Sequence, residues 1–201
     1  CRHASRDNEL LARAIGVKAG KRPTVIDATA GFASDALIIA ALGCYVTLLE
    51  RHDKIAELLQ QALDAAQQDQ QMGELIAHMK FIHTDSIQFL RQKQYSSKPD
   101  VIYLDPMFPA RKKSALVKKE MQILQALLQG ETIDSTELLQ TAIDCSPKRV
   151  VIKRPPSAPH VEISMTPSFT MKNKSCRFDI YLPSSCENPP PYKRERNEQR
   201  G

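Results

Sequence analysis

An acid followed at once by proline, with an aromatic ring three positions on, is the most chemically loaded stretch of this chain. It reads Val101-Ile-Tyr-Leu-Asp-Pro-Met-Phe-Pro109. The four residues Val101 to Leu104, after the breaker pair Pro99-Asp100, predict a short buried strand. Asp105 falls where that strand ends. Pro106 and Pro109 cannot extend a ladder, and they stiffen the turn. A carboxylate and the ring of Phe108 are therefore held just past the carboxyl end of a strand, the edge at which open α/β sheets bind ligands. The carboxylate is an acceptor for N–H groups, and the ring is a stacking surface. Taken alone, such a turn is as well read as a satisfied Asp and a core Phe, so its meaning rests on the elements around it.

Length and composition set the frame for those elements. A chain of 201 residues, 42% hydrophobic and 25% charged, fits one soluble globular domain with an aliphatic core, since Trp is absent and aromatics are only 5%. The net charge of +5 favours an anionic partner, nucleic acid first. No run of apolar residues is long enough to span a membrane. The five cysteines Cys1, Cys44, Cys145, Cys176 and Cys186 include no C-x-x-C pair. They predict reduced thiols in a cytoplasmic protein, with neither a disulfide framework nor zinc. The histidines His52, His78, His83 and His160 lack metal spacing and a paired nucleophile, and are assigned to surface or packing. Met107 and Met121 are assigned to packing.

Five strands alternate with helices. The strands are Thr24–Asp27, Tyr45–Leu49, Lys80–His83, Val101–Leu104 and Arg149–Ile152, and the pattern predicts a doubly wound, mostly parallel sheet. A first amphipathic helix is expected over 8–17. Ser34 is expected to cap a helix running from Asp35 to Leu42. Others are expected over 54–68, 74–79, 87–92, 114–129 and 136–143. Segments 161–172 and 176–182 predict a closing antiparallel pair. From Pro183 on, prolines, polar and charged residues predict a basic disordered tail, leaving 1–182 as the domain.

Four strands close on or beside an acid, Asp27, Glu50, Asp85 and Asp105, and right-handed crossovers put those ends on one rim. Four carboxylates suit a polyhydroxylated, amine-bearing ligand better than a phosphate, and the chain has no P-loop pattern. A dinucleotide site expects G-x-G-x-x-G after the first strand. The loop Ala28-Thr-Ala-Gly31-Phe-Ala33 offers one glycine there. Glu50, 23 residues after Asp27, is placed to accept from ribose hydroxyls, which serves NAD and S-adenosylmethionine alike. The loop argues against NAD, and the Asp105–Pro109 turn argues for a methyltransferase.

Asp27-Ala-Thr-Ala-Gly31, Leu49-Glu-Arg51, Tyr103-Leu-Asp-Pro-Met-Phe-Pro109, Lys113-Ser-Ala-Leu-Val-Lys-Lys-Glu-Met121, Val151-Ile-Lys-Arg-Pro155 and Arg177-Phe-Asp-Ile-Tyr181 together resemble the bacterial small-subunit ribosomal RNA guanine-N2 methyltransferases of the J type. The resemblance covers roughly Arg6 to Leu182. It implies S-adenosylmethionine as cofactor, a class I Rossmann-like fold, and methyl transfer to a guanine of 16S rRNA, as naked RNA or in an assembling small subunit. By position it implies cofactor contacts from Asp27, Gly31, Ser34 and Asp35, a ribose-side pair Glu50 and Arg51, an adenine-side pair Asp85 and Ser86, and Asp105 at the methyl end. The chain departs from the family pattern in three places. Ala33 stands where a second glycine is common, Ser34 where a basic residue is common, and Asp85 where a small polar residue is. Family members also carry a further N-terminal segment.

The chemistry can be argued from the residues. A guanine amine is a poor nucleophile because its lone pair is delocalised into the ring. Acceptors on its N–H groups, from Asp105 and the Pro106 carbonyl, localise that pair. Phe108 can stack on an extracted base. Lys112, Lys113, Lys118, Lys119, Lys153 and Arg154 lie near this rim and are the candidate RNA phosphate contacts, although each alone reads as a solvated face. Two other readings of the residues stay open: a methyltransferase for DNA adenine or protein glutamine, and a non-catalytic RNA-binding Rossmann domain.

Overall fold

The computed structural model describes residues 2–93, 95, 97–106 and 134–183. The predicted helix over 114–129, the tail beyond Pro183, and Phe108, Lys112, Lys113, Lys118 and Lys119 lie outside the described residues.

In chain order the elements are α1 (Arg2–Ile15), β1 (Val25–Asp27), α2 (Ser34–Ala41), β2 (Val46–Glu50), α3 (Asp53–Gln67), α4 (Gly73–Ile76), β3 (Met79–His83), α5 (Ser86–Arg91), β4 (Val101–Leu104), α6 (Ser135–Asp144), β5 (Arg149–Arg154), β6 (Phe169–Lys172) and β7 (Arg177–Tyr181). The strands form one sheet in the order β3-β2-β1-β4-β5-β7-β6. The pairs β1–β2, β2–β3, β1–β4 and β4–β5 are parallel, and β7 runs antiparallel to both β5 and β6. The predicted doubly wound sheet with a C-terminal antiparallel pair is the observed one. Only 169–172 of the segment 161–172 enters the pair.

Residues of alternating parity divide between two apolar layers, as a sheet covered on both faces requires. On one face Val25, Leu48, Val101, Tyr103, Val151, Phe178 and Ile180 pack under α1, α2 and α3 through Leu11, Ile15, Ile39 and Leu59. On the other, Ile26, Leu49, Ile102, Leu104, Ile152 and Tyr181 pack under α5 and α6 through Phe89, Leu90, Leu138 and Leu139. Central strands read as unbroken apolar runs because both faces are dry; all four residues of β4 are buried.

The strand order reverses between β1 and β4. From β1 the chain winds outward to β2 and β3, and from β4 it winds the other way to β5. The crevice outside the carboxyl ends of β1 and β4 is therefore the topological switch point, where open α/β sheets bind ligands. Asp27 ends β1, and Asp105 follows β4, on the two sides of that crevice. Among the described residues no helix is long and apolar enough to cross a membrane, and no group of three His, Cys, Asp or Glu side chains could hold a metal. The described cysteines, Cys44, Cys145 and Cys176, are free thiols.

Candidate active site

The loop after β1 is strapped from three sides. Ala28 N–H donates to the Tyr103 carbonyl at 3.0 Å, and Ala30 N–H to the Leu49 carbonyl at 3.0 Å. The Ser86 hydroxyl donates to the Ala28 carbonyl at 2.5 Å. The loop thus joins the ends of β2, β4 and the start of α5 into one platform. Its turn is made by Gly31 at φ 53° and Ala33 at φ 58°, both left-handed. Ala33 is the N-cap of α2, whose first residue is Ser34, and no side chain caps that end. The expected Ser34 cap is therefore corrected. The left-handed turn completes one residue earlier and leaves Ser34 exposed inside the first helical turn. It also explains why glycine suits position 33, since a Cβ resists positive φ.

Glu50 closes β2 and spends one lone pair of each oxygen. Oε2 accepts from Gly31 N–H at 3.0 Å, and Oε1 from His52 N–H at 2.8 Å. An ionised carboxylate has about four acceptor sites. Two remain, on a half-buried group facing the loop.

Asp105 is gripped at both ends. Its backbone N–H donates to the Thr29 hydroxyl at 2.7 Å, and its Oδ2 meets Lys153 Nζ at 2.9 Å. Its side chain is 35% exposed, and Pro106 behind it is buried. Lys153 also donates to Asp35 Oδ2 at 2.6 Å, and the Tyr103 hydroxyl donates to that same Asp35 oxygen. Asp27 lies beneath, 2% exposed, with Oδ1 accepting from Thr29 N–H at 3.0 Å. Burial pushes the Asp27 carboxyl up to about 7, helped by the neighbouring Asp35 and Asp105 charges and opposed by the Thr29 N–H and by Lys153. Burial also raises Asp105, although Lys153 pulls the other way. For Lys153, burial works against the charge, but Asp105 and Asp35 outweigh it and keep the ammonium protonated.

Most of the acids singled out in the sequence converge here, with altered roles for some residues. Two carboxylates, Asp35 and Asp105, hold the Lys153 amine. Arg154 turns into the protein, 7% exposed, and its guanidinium donates to the Pro159 carbonyl at 2.8 Å. Strand alternation sends neighbouring residues to opposite faces, so neither cation of the pair stands out into solvent as a solvated patch would. Asp85 caps α5, accepting from Gln88 N–H at 2.9 Å, and Ser86 serves the loop. Gly31 donates its N–H to Glu50, and Arg51 follows on the same rim. Two residues escaped the sequence reading. Thr29 was one small residue in a small-residue loop. Tyr103 reads as part of an apolar strand, and only its hydroxyl, at the end of a buried ring, signals a polar partner.

A cleft of about 540 Å³ lies away from this crevice, on the α5–α6 face between Leu90, Lys93, Glu137, Thr141 and Ile163. Switch-point topology and the gathered carboxylates place the candidate chemistry at the β1–β4 rim instead.

A family model described as putative SAM-dependent methyltransferase matches residues 1–183. A ribosomal RNA small subunit methyltransferase J from Tolumonas auensis is 46% identical over 173 residues, which is 86% of this chain and 68% of the relative. Its counterpart from Desulfotalea psychrophila is 45% identical over 174 residues, covering 87% and 65%. The chain belongs to the ribosomal RNA small subunit methyltransferase J family. It spans about two-thirds of the length of these relatives. The crystal structure of a SAM-dependent methyltransferase from Neisseria gonorrhoeae superposes with a TM-score of 0.70 at 34% identity, over 87% of this chain and 66% of that one. An rRNA methyltransferase from Streptomyces viridochromogenes, 14% identical with a TM-score of 0.58, shares the fold.

The family's cofactor is S-adenosyl-L-methionine. The residues present fit it. Glu50 keeps acceptor sites for vicinal hydroxyls beside the left-handed turn at Gly31 and Ala33. Acids rather than phosphate-binding amides line the rim, as a cationic ligand requires.

Proposed function

We propose that this chain transfers the methyl group of S-adenosylmethionine to the exocyclic N2 of a guanosine in small-subunit rRNA. The observation that carries the reading is Asp105, a carboxylate fixed at the β1–β4 switch point by Thr29 from one side and Lys153 from the other. Oδ1 has no partner among the described residues and remains for an incoming N–H. The names of the relatives and the net charge of +5 support RNA as the partner.

When bound, the cofactor supplies an electrophilic methyl on a sulfonium that carries its own leaving group. The candidate residues for holding it are Asp27, Gly31, Ser34, Asp35, Glu50, Arg51, Asp85 and Ser86. In this reading Asp105 and the Pro106 carbonyl accept from the guanine amine, orient it and localise its lone pair. The amine becomes acidic only as the new N–C bond forms, so its proton can pass to water. Rigid placement therefore contributes more than a strong base. Phe108 stacks the base, and Lys112, Lys113, Lys118 and Lys119 hold phosphates. Residues 1–182 act as the methyltransferase domain, with 183–201 as a basic tail.

The test is a methylation assay on unmodified small-subunit rRNA and on small subunits, with the product nucleotide mapped. N2-methylguanosine at one position is expected. A methylated adenine in DNA, or methylated glutamine in a protein, with RNA untouched, would replace the reading.

A further inference from the structure

Two carboxylates from separate parts of the chain share one ammonium at the carboxyl edge of the sheet. Lys153, at the end of β5, lies 2.6 Å from Asp35 and 2.9 Å from Asp105, and its side chain is 27% exposed. Asp35 belongs to α2, which the cofactor loop leads into, while Asp105 follows β4 on the side assigned to the base. The lysine is the physical link between the two halves of the crevice. Tyr103 closes the arrangement from below by donating to the Asp35 oxygen that Lys153 also holds.

We propose that Lys153 is a positioning residue for methyl transfer: its ammonium keeps the Asp105 carboxylate ionised and turned toward the incoming amine, and ties it to the helix that follows the cofactor loop. This rests on the reading of Asp105 as the acceptor for the guanine N–H. A protonated Asp105 would present a hydroxyl donor to an amine that needs an acceptor. Half-buried beside Asp35, the carboxylate is under pressure to take up a proton, and among the described residues Lys153 is the cation facing it. The ammonium does not suit a phosphate, which would have to approach past two carboxylates. Among the described residues, the titratable and charged groups facing this cluster are Asp27 from β1, Asp35 from α2, Tyr103 from β4, the Cys176 thiol just before β7, and Asp7 of α1 beyond it. With so many groups around the cluster, the decisive measurement must report on Asp105 alone.

That measurement is a carbon-13 NMR titration of the Asp105 carboxyl, assigned with Asp105→Asn, in the unaltered chain and in Lys153→Met, Lys153→Gln and Lys153→Arg. Removing an opposite charge at this range is expected to move the Asp105 titration to higher pH by about 1–3 pH units in the Met and Gln variants. Arg is expected to leave it close to the unaltered chain. Single-turnover methyl transfer should fall about 10- to 100-fold in Met and Gln, the scale of a misplaced reacting group, with its acid limb displaced upward and Arg recovering most of the rate. RNA affinity and its salt dependence should hold. An Asp105 titration unmoved in both neutral variants overturns the proposal. So does a Met or Gln variant that transfers normally but binds RNA with a flatter salt dependence, because Lys153 would then be a phosphate contact. If the unaltered chain methylates no guanine N2, the reading of the function fails, whatever the titration shows.

Discussion

At the scale of single residues, Asp105 and Asp27 are two carboxylates a few residues' reach apart with opposite tasks. Asp105 keeps a third of its side chain exposed. If it serves as an acceptor, Asp105→Asn retains a carbonyl at the same reach and can still bond Lys153, whereas Asp105→Ala removes both. Single-turnover methyl transfer at saturating cofactor is expected to lose clearly less with Asn than with Ala. General-base help is worth about 100- to 10,000-fold, so equal losses of that size in both variants, with cofactor binding intact, would make Asp105 the base. Asp27 is sealed from water, and its folded value near 7 lies above the ordinary 3.8. For an acid raised in the fold, the native state binds the extra proton, so stability falls as pH rises between the two values and levels off above 7. The Asp27→Asn variant keeps the acceptor for Thr29 and loses the titration. Urea midpoints at pH 4, 5.5 and 7.5 should show this variant gaining on the unaltered chain as pH rises, by on the order of a few kcal/mol at most. Parallel curves would mean that Asp27 is ionised throughout.

At the scale of elements, the rim is held in place by devices distributed along the chain. One is the β5–β7 corner. Asp179, fully buried on β7, accepts from Arg177 Nε and Nη2 at 2.9 Å each and pairs with His160 Nδ1 at 3.0 Å. Arg177 passes on to the Ala158 and Pro159 carbonyls. The segment that leaves β5 just after Lys153 is thereby pinned back onto β7. Asp179→Ala leaves a guanidinium buried without its carboxylate, which costs about 3–5 kcal/mol for a pair of this kind. A urea midpoint within error of the unaltered chain would show that the corner is held by packing alone. The His160 ring, assigned to surface or packing from the sequence, has a definite partner that the chain order hid.

At the scale of the whole molecule, charge is divided by position. Acids gather at the switch point, while the chain as a whole carries +5. Replacing Lys112 and Lys113 together with Ala is expected to weaken RNA binding and lower the salt slope by roughly 0.9 per contact on duplex or 0.7 on single-stranded regions. Cofactor affinity should be unchanged. An unaltered slope would make these lysines a solvated face. Arg154→Ala belongs to another class, because its guanidinium faces the Pro159 carbonyl: it should lower the unfolding midpoint and leave the slope alone.

The sequence by itself determined the strand count of the parallel half, the antiparallel closure, the family, and the identity of the acids at the strand ends. These are local signals. Apolar runs, breakers and acids at run ends are written in neighbouring residues, and a sheet covered on both faces leaves little choice of register. What only the tertiary structure decided is which charges meet. Lys153 and Arg154 are adjacent cations in the chain, and strand alternation sends one to Asp35 and Asp105 and the other to a backbone carbonyl. Ser34 looked like a cap until the left-handed turn at Ala33 took that place. Tyr103 looked apolar until its hydroxyl met Asp35, 68 residues away. Partners that distant are fixed by sheet order and crossover direction, so their pairing, and with it the ionisation of the carboxylates, belongs to the fold.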